Sequence, residues 1–319
     1  MISIYIDDKT PANEEQAKKF AGRMERLLDF WGSKTLADVT GKNCREYASK
    51  RGNEGGSRRD LEDLRAAIGH HHKEGYHREN VAVWLPPKGE PRTGWLTRDE
   101  AARLLWAAWR AREEQGRVRG KPAAEKKPTG RITLQHVARF ILVGLYTGSR
   151  AGAIANAALT PGPGKSYIDL ENGIFYRRPQ GKRETNKRMP PVPIPPRLLA
   201  HIRRWKRKHV SVDYVVEWHG LPVKSVKTGF RSAVTKAKLG DDITPHTLRH
   251  TAVTWLLQAG VSYYETGGFV GMSPQMVEKV YGHHHPDYLG GAKLALNNPT
   301  NKKPMKRRDI TGTSVNEHP

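Results

Sequence analysis

The sequence predicts a mainly α-helical protein with a small antiparallel β-sheet in an α+β main domain, preceded by a small all-α domain. Three observations predict it. Apolar residues recur at helical spacing through most of the chain. One stretch alternates on either side of an Asn-Gly pair, which is the signature of a hairpin. A run of prolines and glycines at about 86–94 interrupts the periodicity and separates a short helical start from the rest. The domains are therefore placed at 1–88 (helical) and 95–290 (main), with 291–319 as a basic, flexible tail.

Taken in order, residues 13–30 bring Ala17, Phe20, Ala21, Met24, Leu27 and Leu28 to one helical face, and 55–75 repeat the pattern through Leu61, Leu64, Ala67 and Ile68. After the break, Thr97 caps a helix over 98–109. Residues 110–131 are basic and poor in apolar residues, with Gly and Pro interspersed, and read as an exposed loop. A helix over 133–146 runs into the tight turn TGSR. The stretch KSYIDLENGIFYRRP then forms the hairpin about Asn172-Gly173, and PPVPIPP adds an edge strand, where proline is tolerated. Helices follow over 197–209, 226–237, 245–259 and 274–281.

At 319 residues the chain is long enough for two cores. It carries 55 Lys+Arg against 32 Asp+Glu, a formal net charge of +23. Such a field favours a polyanion, above all nucleic acid. A lone cysteine, Cys44, excludes an internal disulfide and fits a reducing compartment. The longest apolar run, FILVGLY at 140–146, is too short for a bilayer span, so no membrane role and a cytoplasmic location are expected.

The most informative stretch is TPHTLRHTAVTWLLQAG. Thr244 is suited to the N-cap, Pro245 to the first helical position and Gly260 to the stop. On such a helix His246, Arg249 and His250 share one face of the first turns, opposite Leu248, Ala252 and Trp255. Free N–H groups and the positive dipole end favour an anion there, and imidazole plus guanidinium add proton transfer and bidentate oxygen contacts. A second helix, capped by Ser273-Pro274, ends on Tyr281.

TGSR, then HTLRH, then a tyrosine about thirty residues on resembles the tyrosine recombinase (phage integrase) family. The likeness extends over 97–288 and, more weakly, over the N-terminal unit, which is similar to that family's core-binding domain. The resemblance implies a DNA clamp in which Tyr281 attacks a phosphodiester and forms a 3′-phosphotyrosyl intermediate, needing neither metal nor nucleotide cofactor. It implies that Arg150 and Arg249 hold the non-bridging oxygens, that His246 works on the tyrosine proton, that His250 supports the pocket, and that a lysine protonates the leaving 5′-oxygen. Counting back from the Val-Pro element favours Lys187 for that lysine, with Lys182 as the other candidate and a further contact to DNA. Double-stranded DNA, a homotetramer on paired recombination sites and a directionality factor are the partners it implies, with a bacterial mobile element as the setting. Many members carry an arm-binding domain, for which the residues before Asn13 are too few.

The chain departs from the family pattern at two positions. Ala153 stands where an acid is usual and Met272 where His or Trp is usual, Tyr281 lying nine residues beyond it. These departures keep a second reading open, a catalytically impaired site-specific DNA-binding protein. A third is a type IB topoisomerase or telomere resolvase built on the same plan. The histidine runs His70–His72 and His283–His285 invite a metal, but adjacent ligands on a short run seldom converge on one ion.

Overall fold

The computed structural model describes residues 1–89, 94–115, 127–182 and 188–297. The chain separates into two compact units, Met1–Arg92 and Thr93–Pro319.

The first unit packs α1 (Ile2–Lys9), α2 (Glu14–Trp31), α3 (Gly41–Arg51) and α4 (Glu54–Lys73) about one core. Asn13, Thr40 and Asn53 cap α2, α3 and α4 by accepting the backbone N–H three residues on. Phe20, Met24 and Leu27 of α2 meet Leu61, Leu64 and Ile68 of α4, the faces the periodicity assigned. The sequence reading missed α1 and α3. In α3 only Cys44 and Tyr47 are buried, too few to register as a stripe. Asp60 is buried beneath them and accepts from Arg26, Arg51 and the Tyr47 hydroxyl, so its charge is both paired and hydrogen-bonded.

The second unit begins with α5 (Arg98–Arg110), closed by a Thr97–Glu100 capping box. Strands β1 (Arg112–Gln115) and β2 (Lys127–Ile132) then pair antiparallel, correcting the reading of 110–131 as a loop. None of the side chains described on this pair is buried, so there is no buried face to impose an apolar alternation; residues 116–126 lie outside the described residues. Helix α6 (Gln135–Thr147) is buried on most sides, packs on α5 and leads into the short α7 (Ala151–Ala155).

A four-stranded sheet follows, ordered β3 (Ala157–Ala158), β4 (Ser166–Asp169), β5 (Ile174–Tyr176) and β6 (Val192–Pro193). The β4–β5 hairpin and the proline-bearing edge strand β6 are antiparallel, as read from sequence. The two-residue β3 is parallel and was not foreseen, being too short to alternate. Helix α8 (Pro196–Arg207), the small hairpin of β7 (Glu217–Trp218) and β8 (Leu221–Pro222), and α9 (Lys227–Lys236) complete the main core around Phe140, Phe175 and Phe230.

Helix α10 (Thr247–Gln258) packs against α6, and α11 (Tyr263–Val270) and α12 (Pro274–Tyr281) pack against α10. The observed start of α10 corrects the expected one at Pro245. Thr244 N–H donates to Thr247 Oγ1 at 3.0 Å while Thr247 N–H donates to Thr244 O at 2.9 Å, closing 244–247 as a turn. His246 thereby becomes the N-cap, without spending its side chain on capping. Helix α13 (Gly290–Asn297) occupies the beginning of the segment read as a flexible tail, a further correction; residues 298–319 lie outside the described residues. Among the described residues, no helix is long and apolar enough to cross a membrane.

Candidate active site

The C-terminal end of α6, the start of α10, the α11–α12 turn and the end of α12 converge. Two glycines make the convergence feasible. Gly148, at φ 57°, ends α6 and throws the chain back so that Arg150 sits at the start of α7; Gly271, at φ 73°, ends α11. Both carbonyls face the buried Arg249, which is 4% exposed. Its Nη1 donates to Gly148 O at 2.8 Å and Val270 O at 2.6 Å, and its Nη2 to Gly271 O at 3.3 Å. Arg150 Nη1 donates to Arg188 O at 2.7 Å. A Cβ on Gly271 would lie 2.7 Å from that same carbonyl and 2.9 Å from Pro190 Cδ. Gly271→Ala combines left-handed strain with overpacking, and a loss of about 2–4 kcal/mol in folding stability is expected. Thermal unfolding together with the site's activity checks it.

A third arginine was not anticipated. Arg177, 2% exposed, donates to Pro190 O at 2.8 Å, Phe269 O at 2.8 Å and Val270 O at 3.4 Å. It ties the sheet to the α11–α12 turn. The signal was present: Ile168, Phe175 and Arg177 fall on the buried face by period two, so an arginine there has to point inward. Among the described residues no carboxylate pairs with Arg150, Arg177 or Arg249, and the three repel one another. Burial, with Arg249 and Arg150 adding, draws Arg177 down to about 9; burial and Arg150 draw Arg249 down to about 10. Burial also lowers Arg150. Three clustered guanidinium groups are chemically suited to an anion.

Tyr281 closes the pocket from the end of α12. It is 3% exposed, and burial pushes its hydroxyl up to about 12 against the opposing pull of Arg249. The hydroxyl hydrogen-bonds His250 Nδ1. Burial, then the neighbouring His246 and Arg249, draws His250 down to about 4, so at neutral pH the imidazole is uncharged and able to accept the tyrosine proton. His246 stands edge-on behind it, ring centroids 4.7 Å apart at 85°, on the solvent side. Partial burial and the two arginines hold it below its ordinary value as well.

The depressed histidines have a consequence for stability. His136, half-buried on α6 against Trp218, is drawn down to about 4 in the same way. Above the ordinary imidazole value near 6.5 neither folded nor unfolded chain is protonated there, and the native state is fully favoured. As pH falls from about 6.5 to 4 the unfolded chain takes up protons that the folded chain refuses, removing up to about 3 kcal/mol per group. The melting temperature is therefore expected to fall over that window, and less steeply in His250→Gln.

Residues 133–287 match the model of the phage integrase family. This region of the chain is a phage integrase family domain. Among solved structures, the Tn1549 transposon integrase in complex with transposon right end DNA has 18% sequence identity and a TM-score of 0.67, covering 93% of this chain and 98% of that one. A lambda integrase dimer bound to a COC′ core site has 14% identity and a TM-score of 0.62, covering 88% and 75%. A lambda integrase tetramer bound to a Holliday junction has 16% identity and a TM-score of 0.60, covering 85% and 75%. No curated protein matches. At these identities the likeness to integrase structures is one of fold.

Within this integrase fold Arg150, His246, Arg249, His250 and Tyr281 come together in one cluster. One feature differs from expectation. The neighbour of the tyrosine hydroxyl is His250, with His246 one step removed. Ala153, where the family pattern has an acid, is buried in the main core, its N–H donating to Arg150 O at 2.9 Å. Met272 packs with the apolar cluster of Val253, Leu257 and Val277, and only its backbone N–H is bonded, to Gly267 O at 2.9 Å. Lys182 is exposed on the loop after β5, beside the cleft lined by Arg177 and Pro190. Lys187 lies outside the described residues.

Proposed function

We propose that this chain is a site-specific DNA recombinase that cuts and rejoins strands through a 3′-phosphotyrosyl intermediate on Tyr281. The observation that carries the reading is the hydrogen bond between the Tyr281 hydroxyl and a neutral His250, set among arginines with no carboxylate partner among the described residues. In cleavage the tyrosine oxygen attacks phosphorus while its proton passes to His250. The P–O5′ bond breaks as the P–O(Tyr) bond forms, and the leaving oxygen takes a proton from a loop lysine, for which Lys182 and Lys187 are the candidates. One phosphoester replaces another, so no nucleotide energy source is required. Arg150 and Arg249 offer N–H groups to the equatorial oxygens as charge accumulates, and His246 is placed to contact the same phosphate.

The residues of 1–88 serve in this reading as the core-binding, DNA-contacting domain, and 95–290 as the catalytic domain. The solved structures of similar fold hold DNA, as a dimer or a tetramer in the lambda cases, and the +23 charge suits the same substrate. Excision or integration of a mobile element by a tetramer, steered by a directionality factor, is the biological role proposed.

The test is capture of covalent adducts. The protein is expressed beside its genomic DNA, denatured in detergent, and the linked DNA is recovered and sequenced. Linked DNA at discrete loci supports strand cleavage. DNA binding without linkage would favour the non-cutting DNA binder, with Ala153 and Met272 as the cause.

A further inference from the structure

The three histidines after Tyr281 have no part in the proposed chemistry, yet two of them are seated. Tyr281 runs directly into a 3₁₀ turn, Gly282–His284. His283 points to solvent, whereas His284 and His285 are half-buried. The His284 ring meets Trp95 edge-to-face, centroids 5.5 Å apart at 76°. The His285 ring meets Tyr263 at 5.6 Å and 64°, and its Nδ1 accepts from the Asp287 N–H at 3.2 Å.

Trp95 is itself fixed. The adjacent Leu96 donates its N–H to Thr251 Oγ1 at 2.9 Å and accepts from Trp255 Nε1 at 3.1 Å, both on α10. Helix α10 also carries His250. The tyrosine and its hydrogen-bond partner are thus referred to one helix from two sides: His250 belongs to it, and the chain beyond Tyr281 rests on a tryptophan whose neighbour Leu96 is bonded to it. Tyr263, at the start of α11, holds the other side of the turn. Edge-to-face ring contacts of this kind are attractive beyond the area they bury. They hold the turn that follows Tyr281, in addition to the packing that buries the Tyr281 ring itself.

We propose that His284 and His285 are positioning residues for Tyr281, braced against Trp95 and Tyr263, and that the first brace sets how often the tyrosine hydroxyl is in line for attack. This rests on Tyr281 being the nucleophile. Burial and the adjacent His283 keep His284 below its ordinary value, in keeping with an uncharged ring packed against indole.

The experiment compares Trp95→Ala, Trp95→Phe, His284→Ala and the Trp95→Ala/His284→Ala pair with the unaltered protein. Three quantities are read: hydrogen exchange of the amides at 279–285, DNA affinity, and single-turnover cleavage of the DNA recovered by adduct capture. Misplacement by an ångström costs up to about a hundredfold, so a fall in cleavage rate of roughly tenfold is expected for each alanine variant. Exchange at 279–285 should rise with it while affinity stays within twofold. Trp95→Phe should recover most of the rate, and the pair should be no worse than either single variant. Unchanged cleavage and exchange in Trp95→Ala, or rate losses that multiply in the pair, would overturn the brace. If the unaltered protein forms no adduct, the nucleophile reading fails instead, and unchanged exchange in the variants would overturn the brace independently.

Discussion

Tyr281→Phe is expected to abolish covalent linkage to DNA while leaving DNA affinity within a few-fold of the unaltered protein. The substitution removes one oxygen and keeps the ring that packs with Val253, Leu257 and Val277. What is lost is the nucleophile, and no neighbouring hydroxyl among the described residues takes its place against His250. Affinity should survive because phosphate contacts spread over a strongly basic chain supply most of it. Folding should also survive: the hydroxyl makes a single bond, and leaving His250 Nδ1 without it costs about 1–3 kcal/mol. Adduct capture and a binding titration on the same DNA measure both halves. Linkage that persists in the phenylalanine variant would move the nucleophile elsewhere and with it the whole assignment.

Arg249→Ala should have the second-largest effect, and on two properties together. Removing one group that stabilises transition-state charge typically costs about 10²–10³ in rate. The same side chain satisfies the carbonyls of Gly148, Val270 and Gly271, which would be left buried and unbonded at about 1–3 kcal/mol each before any water enters. Relief of repulsion with Arg150 and Arg177 offsets part of that. Arg249→Lys separates the two roles. It keeps the charge but lacks the planar fork that reaches three carbonyls, so stability and rate should both remain below those of the unaltered protein. Thermal unfolding and single-turnover cleavage are the measurements. A lysine variant that cleaves at the full rate would show that charge alone suffices and that the fork geometry has no chemical part.

Much of this was legible in the chain because the signals are local. The apolar stripes of α2 and α4, the Asn172-Gly173 hairpin, the proline-bearing edge strand and the Ser273-Pro274 start of α12 each rest on a few consecutive residues whose conformations physics restricts. The motifs TGSR and HTLRH and the terminal Tyr281 marked the pocket by order and spacing. Elements without such local signals were missed or misplaced. Helix α3 buries too little, β3 is too short to alternate, and the β1–β2 pair shows no apolar periodicity. The start of α10 was placed two residues early because Thr244 and Pro245 satisfy capping rules that the Thr244–Thr247 turn overrides.

The sequence by itself determined the helical class, the strong positive charge and which side chains are candidates for phosphate chemistry, because composition and short-range periodicity are properties of the chain alone. The tertiary structure decided who touches whom. It buried Arg177 beside Arg249, put His250 and not His246 on the Tyr281 hydroxyl, and rested His284 on Trp95. Those contacts join residues 31 to nearly 190 positions apart, and they depend on left-handed glycines and helix crossings. No local pattern encodes such distances, since they follow only once the cores have packed.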